Sequence, residues 1–125
     1  MSQQQLVGQI GEWACVSYFV LVHHYHLIDK NYRCRAGEVD CIFSAQQTII
    51  FTEVKTRTSG TYEHATASVD ISKRKRILRT AEWFLQQYPF YGNRSTRFDV
   101  VVIMLNNLSI HWISDAFGDD TACHR

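Results

Sequence analysis

Two strand-forming runs, joined by a short turn, restrict this chain more than any other feature of its sequence. In the stretch GEVDCIFSAQQTIIFTEVKTR, apolar runs at residues 39–43 and 48–56 flank the short connection AQQ. Runs this close predict an antiparallel β-hairpin. The hairpin nevertheless carries Asp40, Glu53 and Lys55, and charged groups on buried strands are costly unless they are paired, bound to metal or used in chemistry.

The alternation of side chains along a strand brings these charged groups together. Glu53, Lys55 and Arg57 share one face of the second run, because side chains of a strand alternate between its two faces. With the turn at residues 45–47, we expect Asp40 opposite Thr52, one position from Glu53. The strand therefore begins in a core and ends in a polar site.

Two carboxylates and a lysine on neighbouring strands allow two interpretations. Hard oxygen ligands suit Mg²⁺ or Mn²⁺ and leave positions for phosphate and water, so Asp40 and Glu53 are candidate metal ligands. Lys55 is a candidate catalytic residue, because its charge can stabilise a phosphodiester transition state. The alternative is a structural ion pair at the edge of the sheet.

The rest of the chain predicts one α/β domain. Residues 3–24 have helical spacing, with one face approximated by Leu6, Ile10, Trp13, Ala14, Ser17 and Leu21. Cys15 and Cys41 are expected in the core. A strand at 26–34, the hairpin, a helix at 72–88 and a final strand pair at 97–105 and 108–113 follow. The order α-β-β-β-α-β-β implies a single mixed sheet of about five strands flanked by helices. We expect residues 1–118 to form the domain and residues 119–125 a short tail.

The formal net charge of +1 excludes a global polycation, so contact with nucleic acid would depend on a local patch. The segment KRKRILR supplies one, at residues 73–79. It is either a solvated helix face or a phosphate-binding surface, with Lys73, Lys75 and Arg76 as candidate contacts. Arg57 is a further candidate, and it too has the alternative of remaining solvated at its strand end.

The chain shows no secretory signal and no transmembrane segment of about 20 apolar residues, so we expect a cytoplasmic protein without a membrane partner. The cysteines, without a C-x-x-C pair, are interpreted as reduced thiols, and HHYH at residues 23–26 is not expected to bind metal. Glu38 either supports the site or caps the turn. Asp99 is expected to be a structural partner of Arg97 or of the second helix and not a metal ligand. The three tryptophans are expected in the core, with base-stacking platforms as the alternative.

Several blocks together carry a resemblance to a known family. They are GQIGEWA, NYRCRAGEVDCI, FTEVKTR, KRKRI, RFDVVVI and the closing AF, which span residues 8–117. Asp40 followed by Glu53-Val54-Lys55 resembles the core of the PD-(D/E)XK nuclease superfamily. The ordered blocks more narrowly resemble the YraN-like family of small, endonuclease-like bacterial proteins. The chain departs from the superfamily motif at Val39, where the motif has proline.

The resemblance implies a restriction-endonuclease-like fold with Asp40 and Glu53 as metal ligands and Lys55 as the catalytic lysine. It also implies a role in the metal site for Glu12, which matches an acidic residue of archaeal Holliday-junction resolvases. The implied activity is metal-dependent hydrolysis of DNA, with branched or otherwise unusual structures among the candidate substrates, and analogy with junction cutting implies a homodimer. The alternatives are a non-catalytic nucleic-acid-binding module and an interaction subunit in DNA repair or recombination.

Overall fold

A computed structural model describes residues 1–67 and 69–118; the expected tail at 119–125 lies outside these residues. Helix α1 spans Gln3–Ser17 and continues as a π-helical turn, Tyr18–Val22. The strands are β1 His26–Cys34, β2 Gly37–Ala45, β3 Thr48–Arg57, β4 Ser95–Met104 and β5 Ser109–Phe117. Helix α2, Tyr62–Ala67, and helix α3, Ile71–Gln87, lie between β3 and β4, and a 3₁₀ turn at Pro89–Tyr91 follows α3.

The five strands form one mixed sheet in the order β1-β2-β3-β4-β5. Neighbouring strands are antiparallel except β3 and β4, which are parallel and are connected through the α2–α3 crossover. Parallel neighbours need such a crossover, because a tight turn can only reverse the chain. The predicted α/β class and element order are confirmed, with α2 as an additional short helix.

The predicted hairpin between β2 and β3 is confirmed, but its register differs from the expected one by one residue. Ala45 pairs with Thr48 and Cys41 with Thr52, because the turn contains two residues, not three. Gln46 adopts the left-handed conformation, with φ at 56°, and two-residue turns with positive φ match the twist of a hairpin. Continued by one residue, this register sets Asp40 opposite Glu53 itself.

The sheet buries a hydrophobic cluster on each face. One cluster joins Ile49 and Phe51 of β3 to Ile77, Ala81 and Phe84 of α3. The other joins Ile50 and Val54 of β3 to Cys15, Val16 and Phe19 of the first helical segment. Glu53 and Lys55 continue the alternation that begins with Ile49 and Phe51, so they lie on the face covered by α3.

The face predicted for α1 is not the face that packs on the sheet, although Cys15 is buried as expected. Leu6, Ile10, Trp13 and Leu21 are each about half exposed or more, whereas Gly11, Cys15, Val16 and Phe19 are buried. Both sets have helical spacing, and Gly11 decides between them. A β-carbon at Gly11 would overlap the side chain of Thr56, so only the glycine face can approach the sheet this closely.

Residues Gln3–Val22 form a helical segment that is long and apolar enough, by length and composition alone, to cross a membrane. The sequence did not lead us to expect such a segment. Its Cys15, Val16 and Phe19 pack against the sheet, and its one charged side chain, Glu12, forms an ion pair with Lys30 of β1. These contacts give the segment a structural role within the domain.

Candidate metal and nucleic-acid site

Asp40 lies where the hydrogen-bonded pairing of β2 with β3 ends. The last registered pair is Cys41 with Thr52. Beyond it, the backbone N–H of Val54 donates to Asp40 Oδ2 at 2.8 Å. The carboxylate thus takes the place of a carbonyl from the partner strand and satisfies a buried donor, which fixes the Asp40 side chain beside Glu53.

Burial and the neighbouring negative charge both act on Asp40. Burial raises the pKa of Asp40 to about 8, and the charges of Glu53 and Glu12 add to the rise, while the hydrogen bond from Val54 opposes it. Ionised Asp40 is therefore destabilised in this fold by the shortage of nearby positive charge. A divalent cation between the two carboxylates would supply that charge.

Glu53 is 7% exposed and already has two cationic neighbours. Lys73 Nζ, from the first turn of α3, lies 2.7 Å from Glu53 Oε2. Lys55 Nζ lies 3.3 Å from the same oxygen. Both ammonium groups meet one carboxylate oxygen of Glu53, and the Glu53 carboxyl also forms a side-chain hydrogen bond with Asp40.

The pKa values of Lys55 and Lys73 are shifted in opposite directions. Burial lowers the pKa of Lys55, and the neighbouring Lys73 lowers it further, against the opposing effect of Glu53. Burial opposes the charge of Lys73, but its hydrogen bonds to Glu53 and Lys55 and the charges of Glu53 and Asp40 together outweigh burial and raise the pKa of Lys73. Glu53 thus favours the charged form of Lys55, but burial and Lys73 outweigh it and leave the pKa below its ordinary value.

Glu12 faces the site from α1 but has its own partners. Lys30 Nζ donates to Glu12 Oε1 at 3.0 Å, and the Asn31 amide nitrogen, in the orientation that satisfies its neighbours, lies 3.2 Å from the same atom. Asn31 adopts φ 59°, a region that asparagine tolerates. Within residues 1–67 and 69–118, no three His, Cys, Asp or Glu side chains are grouped to hold a metal ion.

The donor set fits a divalent cation with two protein carboxylates rather than three. Val54 N–H occupies one oxygen of Asp40, and the lysines occupy one oxygen of Glu53. The two carboxyls also hydrogen-bond to each other, which requires one shared proton that a divalent cation would replace. Mg²⁺ commonly takes one or two carboxylates and completes its shell with water and phosphate. The two remaining oxygens are compatible with such a site.

An open cleft of about 880 Å³ gives access to this end of β3. Gly8 and Glu12 of α1 line one side, and Lys55 and Arg57 of β3 line the other. Arg57 donates from Nη1 to the carbonyl of Thr56 at 3.0 Å, which holds its guanidinium at the cleft. A smaller cavity of about 420 Å³ on the other side of Glu12 includes Asp40.

The basic run lies on α3 as predicted, but its members have different surroundings. Lys73 and Arg74 are half-buried, and Arg74 donates to the carbonyl of Val69 at 3.0 Å. Lys75, Arg76 and Arg79 are exposed. The candidate contact Lys73 thus belongs to the carboxylate cluster, whereas Lys75 and Arg76 face solvent.

Asp99 is a structural residue, as expected. It is 1% exposed and binds Arg97 Nη2 at 2.9 Å. It also accepts from Trp112 Nε1 and from the backbone N–H of Asp115, each at 2.9 Å. Glu38 fits neither expected role, since it forms an exposed ion pair with Arg33 at 3.1 Å.

The tryptophans were expected in the core, which is wrong for two of them. Trp112 packs on Phe19, with ring centroids 4.9 Å apart. Trp13 is 55% exposed and lies under Lys30, whereas Trp83 of α3 is 44% exposed. Trp13 and Trp83 lie on the solvent-facing sides of α1 and α3, which the prediction of core positions did not take into account.

Sequence reasoning missed the roles of Lys30, Asn31 and Lys73 in holding the carboxylates. Lys30 and Asn31 lie on a strand that gives no motif, and their approach to Glu12 depends on the left-handed conformation of Asn31. The basic run identifies Lys73 as cationic. Only the packing of α3 against β3 shows that its partner is Glu53.

Comparison with known proteins identifies the family. The model of "Uncharacterised protein family UPF0102" matches residues 11–103. A UPF0102 protein of Methylobacillus flagellatus is 40% identical over 93 residues, which cover 74% of this chain and 80% of the relative. UPF0102 proteins of Nitrosomonas europaea and Caldicellulosiruptor bescii are 38% and 39% identical, over 84% and 89% of this chain and 88% and 96% of the relatives.

The matched region contains the β2–β3 hairpin, the carboxylates Asp40 and Glu53, both lysines and all of α3. The resemblance drawn from the sequence blocks therefore agrees with the family comparison over most of the chain. This chain belongs to the UPF0102 family, which is the YraN family.

Proposed function

We propose that this protein is a metal-dependent endonuclease that hydrolyses phosphodiester bonds in DNA. The observation that carries the proposal is the buried carboxylate pair Asp40 and Glu53 beside Lys55, at an open cleft. A buried carboxyl whose pKa is raised by burial and by a like charge costs stability when ionised. Strong perturbation of this kind, beside a cleft, is typical of functional sites.

Asp40 and Glu53 would hold Mg²⁺ or Mn²⁺ through the oxygens that do not contact Val54 or the lysines. When bound, the cation would neutralise charge on the phosphate and make a bound water more acidic. Glu12 would join the site only by giving up its contact with Lys30 at 3.0 Å. We therefore assign Glu12 the weaker role of adding negative charge near Asp40, with direct ligation as its alternative.

Lys55 would act on the proton and charge at the scissile phosphate. Its lowered pKa makes Nζ better able to exchange a proton near neutral pH than an exposed lysine. Lys73, whose pKa is raised, keeps its own positive charge beside Glu53. Lys55 would thus position or deprotonate the attacking water, while Lys73 keeps the carboxylate pair in place.

Arg57, Lys75 and Arg76 would contact the phosphate backbone around the site. Arg57 lines the cleft, and Lys75 and Arg76 lie on exposed positions of the helix that carries Lys73. Phosphate contacts of this kind position a nucleic acid without reading its sequence. These contacts fit a substrate that is recognised by its structure and not by its base sequence.

One observation favours a second function, a non-catalytic nucleic-acid-binding module. Glu53 Oε2 is neutralised by two lysines in the structure, so this carboxylate is stable in the fold without a metal. A binding protein could keep the cluster solely to fix α3 and its basic surface against the sheet.

A cleavage panel separates the two functions. Single-stranded, duplex, flap and four-way-junction DNA are incubated with the protein in Mg²⁺, Mn²⁺ or EDTA. The endonuclease predicts metal-dependent cleavage of at least one substrate, loss with Asp40→Asn, and retention with the matched control Glu38→Gln, whose carboxylate is exposed and paired with Arg33. Binding without cleavage of any substrate would favour the module, and cleavage by Asp40→Asn at the wild-type rate would remove the site.

A further inference from the structure

The exposed side of α3 combines arginines with a half-exposed tryptophan. Arg76, Arg79 and Trp83 follow one another at spacings of three and four residues, so they share one face of the helix. All three are exposed, and Trp83 makes no ring stacking, cation–π contact or hydrogen bond with the described residues. We call Arg76, Arg79 and Trp83 the α3 stripe.

The α3 stripe starts beside the carboxylate site. Lys73, whose Nζ lies 2.7 Å from Glu53, precedes Arg76 by three residues and is its neighbour on the helix surface. Trp83 lies ten residues beyond Lys73, about 15 Å along the helix axis. A nucleic-acid strand leaving the site along α3 would meet cationic groups first and an aromatic ring last.

The positive charge of α3 supports a path for the nucleic-acid strand along this helix. Helix α3 carries five basic residues, Lys73, Arg74, Lys75, Arg76 and Arg79, and one acidic residue, Glu82. Arg35 adds an exposed cation nearby, because it lies in the β1–β2 turn next to Gly37, and a β-carbon at Gly37 would be 3.9 Å from the β-carbon of Arg76. With a net charge of +1 for the whole chain, this surface concentrates the positive charge.

An exposed aromatic ring at the end of a cationic track is the arrangement that proteins use for single strands. The cationic groups follow the backbone, and the ring stacks with a base. In a duplex the base faces are already stacked on one another, so Trp83 has no base face to meet there. Stacking on Trp83 therefore requires unpaired nucleotides, whereas the arginines can contact the phosphates of either a single strand or a duplex.

We propose that the α3 stripe binds a single-stranded segment of the substrate, with a base stacked on Trp83. This proposal rests on the proposed function, because it names the kind of substrate that the Asp40–Glu53 site would receive: nucleic acid with an unpaired stretch next to the point of cleavage. Stacking and phosphate contact are common to single-stranded DNA and RNA, so both are arms of the test.

The test measures binding of fluorescently labelled oligo(dT) to the full chain in EDTA, where no cleavage interferes. Trp83→Ala is expected to weaken binding about 5- to 100-fold, the range for loss of one base–aromatic stack, and Trp83→Tyr is expected to restore most of it. Trp13→Ala is the matched control, since Trp13 is also exposed but lies on α1; it is expected to bind as wild type. The same Trp83→Ala loss is expected with oligo(U).

A second readout reports the stack directly. In a Trp13→Phe background, oligo(dT) is expected to quench the remaining tryptophan fluorescence, and that quenching is expected to disappear when Trp83→Tyr is added. An intact blunt duplex is expected to bind wild type and Trp83→Ala equally.

Unchanged oligo(dT) affinity in Trp83→Ala, with its fold confirmed by circular dichroism, would overturn the inference even if the protein cleaves DNA. Conversely, a Trp83 effect on binding with no metal-dependent cleavage of any substrate would overturn the nuclease proposal. The stripe would then stand as the surface of a binding module.

Discussion

At the scale of single residues, the environment of the Asp40 carboxyl differs strongly from water. This carboxyl, with a pKa raised to about 8, must lose a proton to act as a metal ligand. The fold compensates in part through Val54 N–H. Ionised Asp40 therefore lowers the stability of the fold, because it is buried beside the carboxylate of Glu53.

This environment predicts a pH dependence. The folded pKa of about 8 lies above the unfolded value of about 3.9, so between these values the folded state holds a proton that the unfolded state has lost. Stability falls as pH rises wherever the unfolded state binds fewer protons. In EDTA, the contribution of Asp40 is thus full below about pH 4 and lost by about pH 8.

Urea unfolding of wild type and Asp40→Asn across this pH range measures the effect. Wild type is expected to lose stability relative to Asp40→Asn, by a few kcal/mol in total, since each pKa unit corresponds to about 1.4 kcal/mol. The asparagine keeps an acceptor for Val54 N–H and has no charge to lose. Parallel stability curves for the two proteins would show that Asp40 ionises freely.

Lys55→Met tests the lysine while keeping its aliphatic stem. We expect cleavage to fall by about 10², the scale for removing one preorganised electrostatic group. Folding and DNA binding are expected to persist, because Lys73 still neutralises Glu53 at 2.7 Å. Single-turnover cleavage measures the rate, and a variant as fast as wild type would remove Lys55 from the mechanism.

At the scale of secondary-structure elements, the buried face of α1 is a feature that the sequence alone does not determine. Hydrophobic spacing predicted the helix, but two apolar stripes share that spacing, and periodicity does not choose between them. The choice depends on Gly11 meeting Thr56 across the interface, which is a tertiary contact. The hairpin is similar, since its existence could be predicted from two apolar runs, whereas its register depended on a turn one residue shorter than expected.

The two glycines of α1 provide a matched pair for this interface. Gly11→Ala is expected to destabilise the protein by about 1–3 kcal/mol, the usual cost of overpacking, because the added methyl overlaps Thr56. Gly8 has no atom within 4 Å of an added β-carbon, so Gly8→Ala is expected to stabilise by up to about 1 kcal/mol through helix propensity. Thermal unfolding compares them, and a Gly11→Ala protein as stable as Gly8→Ala would contradict the packing described.

Helix α3 predicts how DNA binding depends on salt. Replacing both Lys75 and Arg76 with glutamine is expected to reduce the slope of log affinity against log salt for duplex DNA by up to about two units, roughly 0.9 for each phosphate that the protein no longer neutralises. Arg94→Gln is the control, because Arg94 precedes β4, which runs parallel to β3, and so lies at the opposite end of the sheet from Lys55. An unchanged slope in the double variant would mean that this part of α3 is a solvated surface.

At the scale of the whole molecule, the fold class and the two strands that carry the site residues could be predicted from the sequence. The positions of Asp40, Glu53 and Lys55 on one hairpin followed from strand alternation. The partners of Glu53 and Glu12 did not, because Lys73 and Lys30 come from elements whose packing the sequence leaves open. A homodimer and a cytoplasmic location remain predictions, and sedimentation equilibrium measures the first.

The central claim is that one end of the sheet is arranged to bind a divalent cation between Asp40 and Glu53. Calorimetric titration of the full chain with Mn²⁺ near pH 8 tests this most directly, because it does not depend on knowing the substrate. We predict one site in wild type, the same site in the control Glu38→Gln, and no measurable binding in Asp40→Asn. Equal Mn²⁺ binding by wild type and Asp40→Asn would contradict the claim.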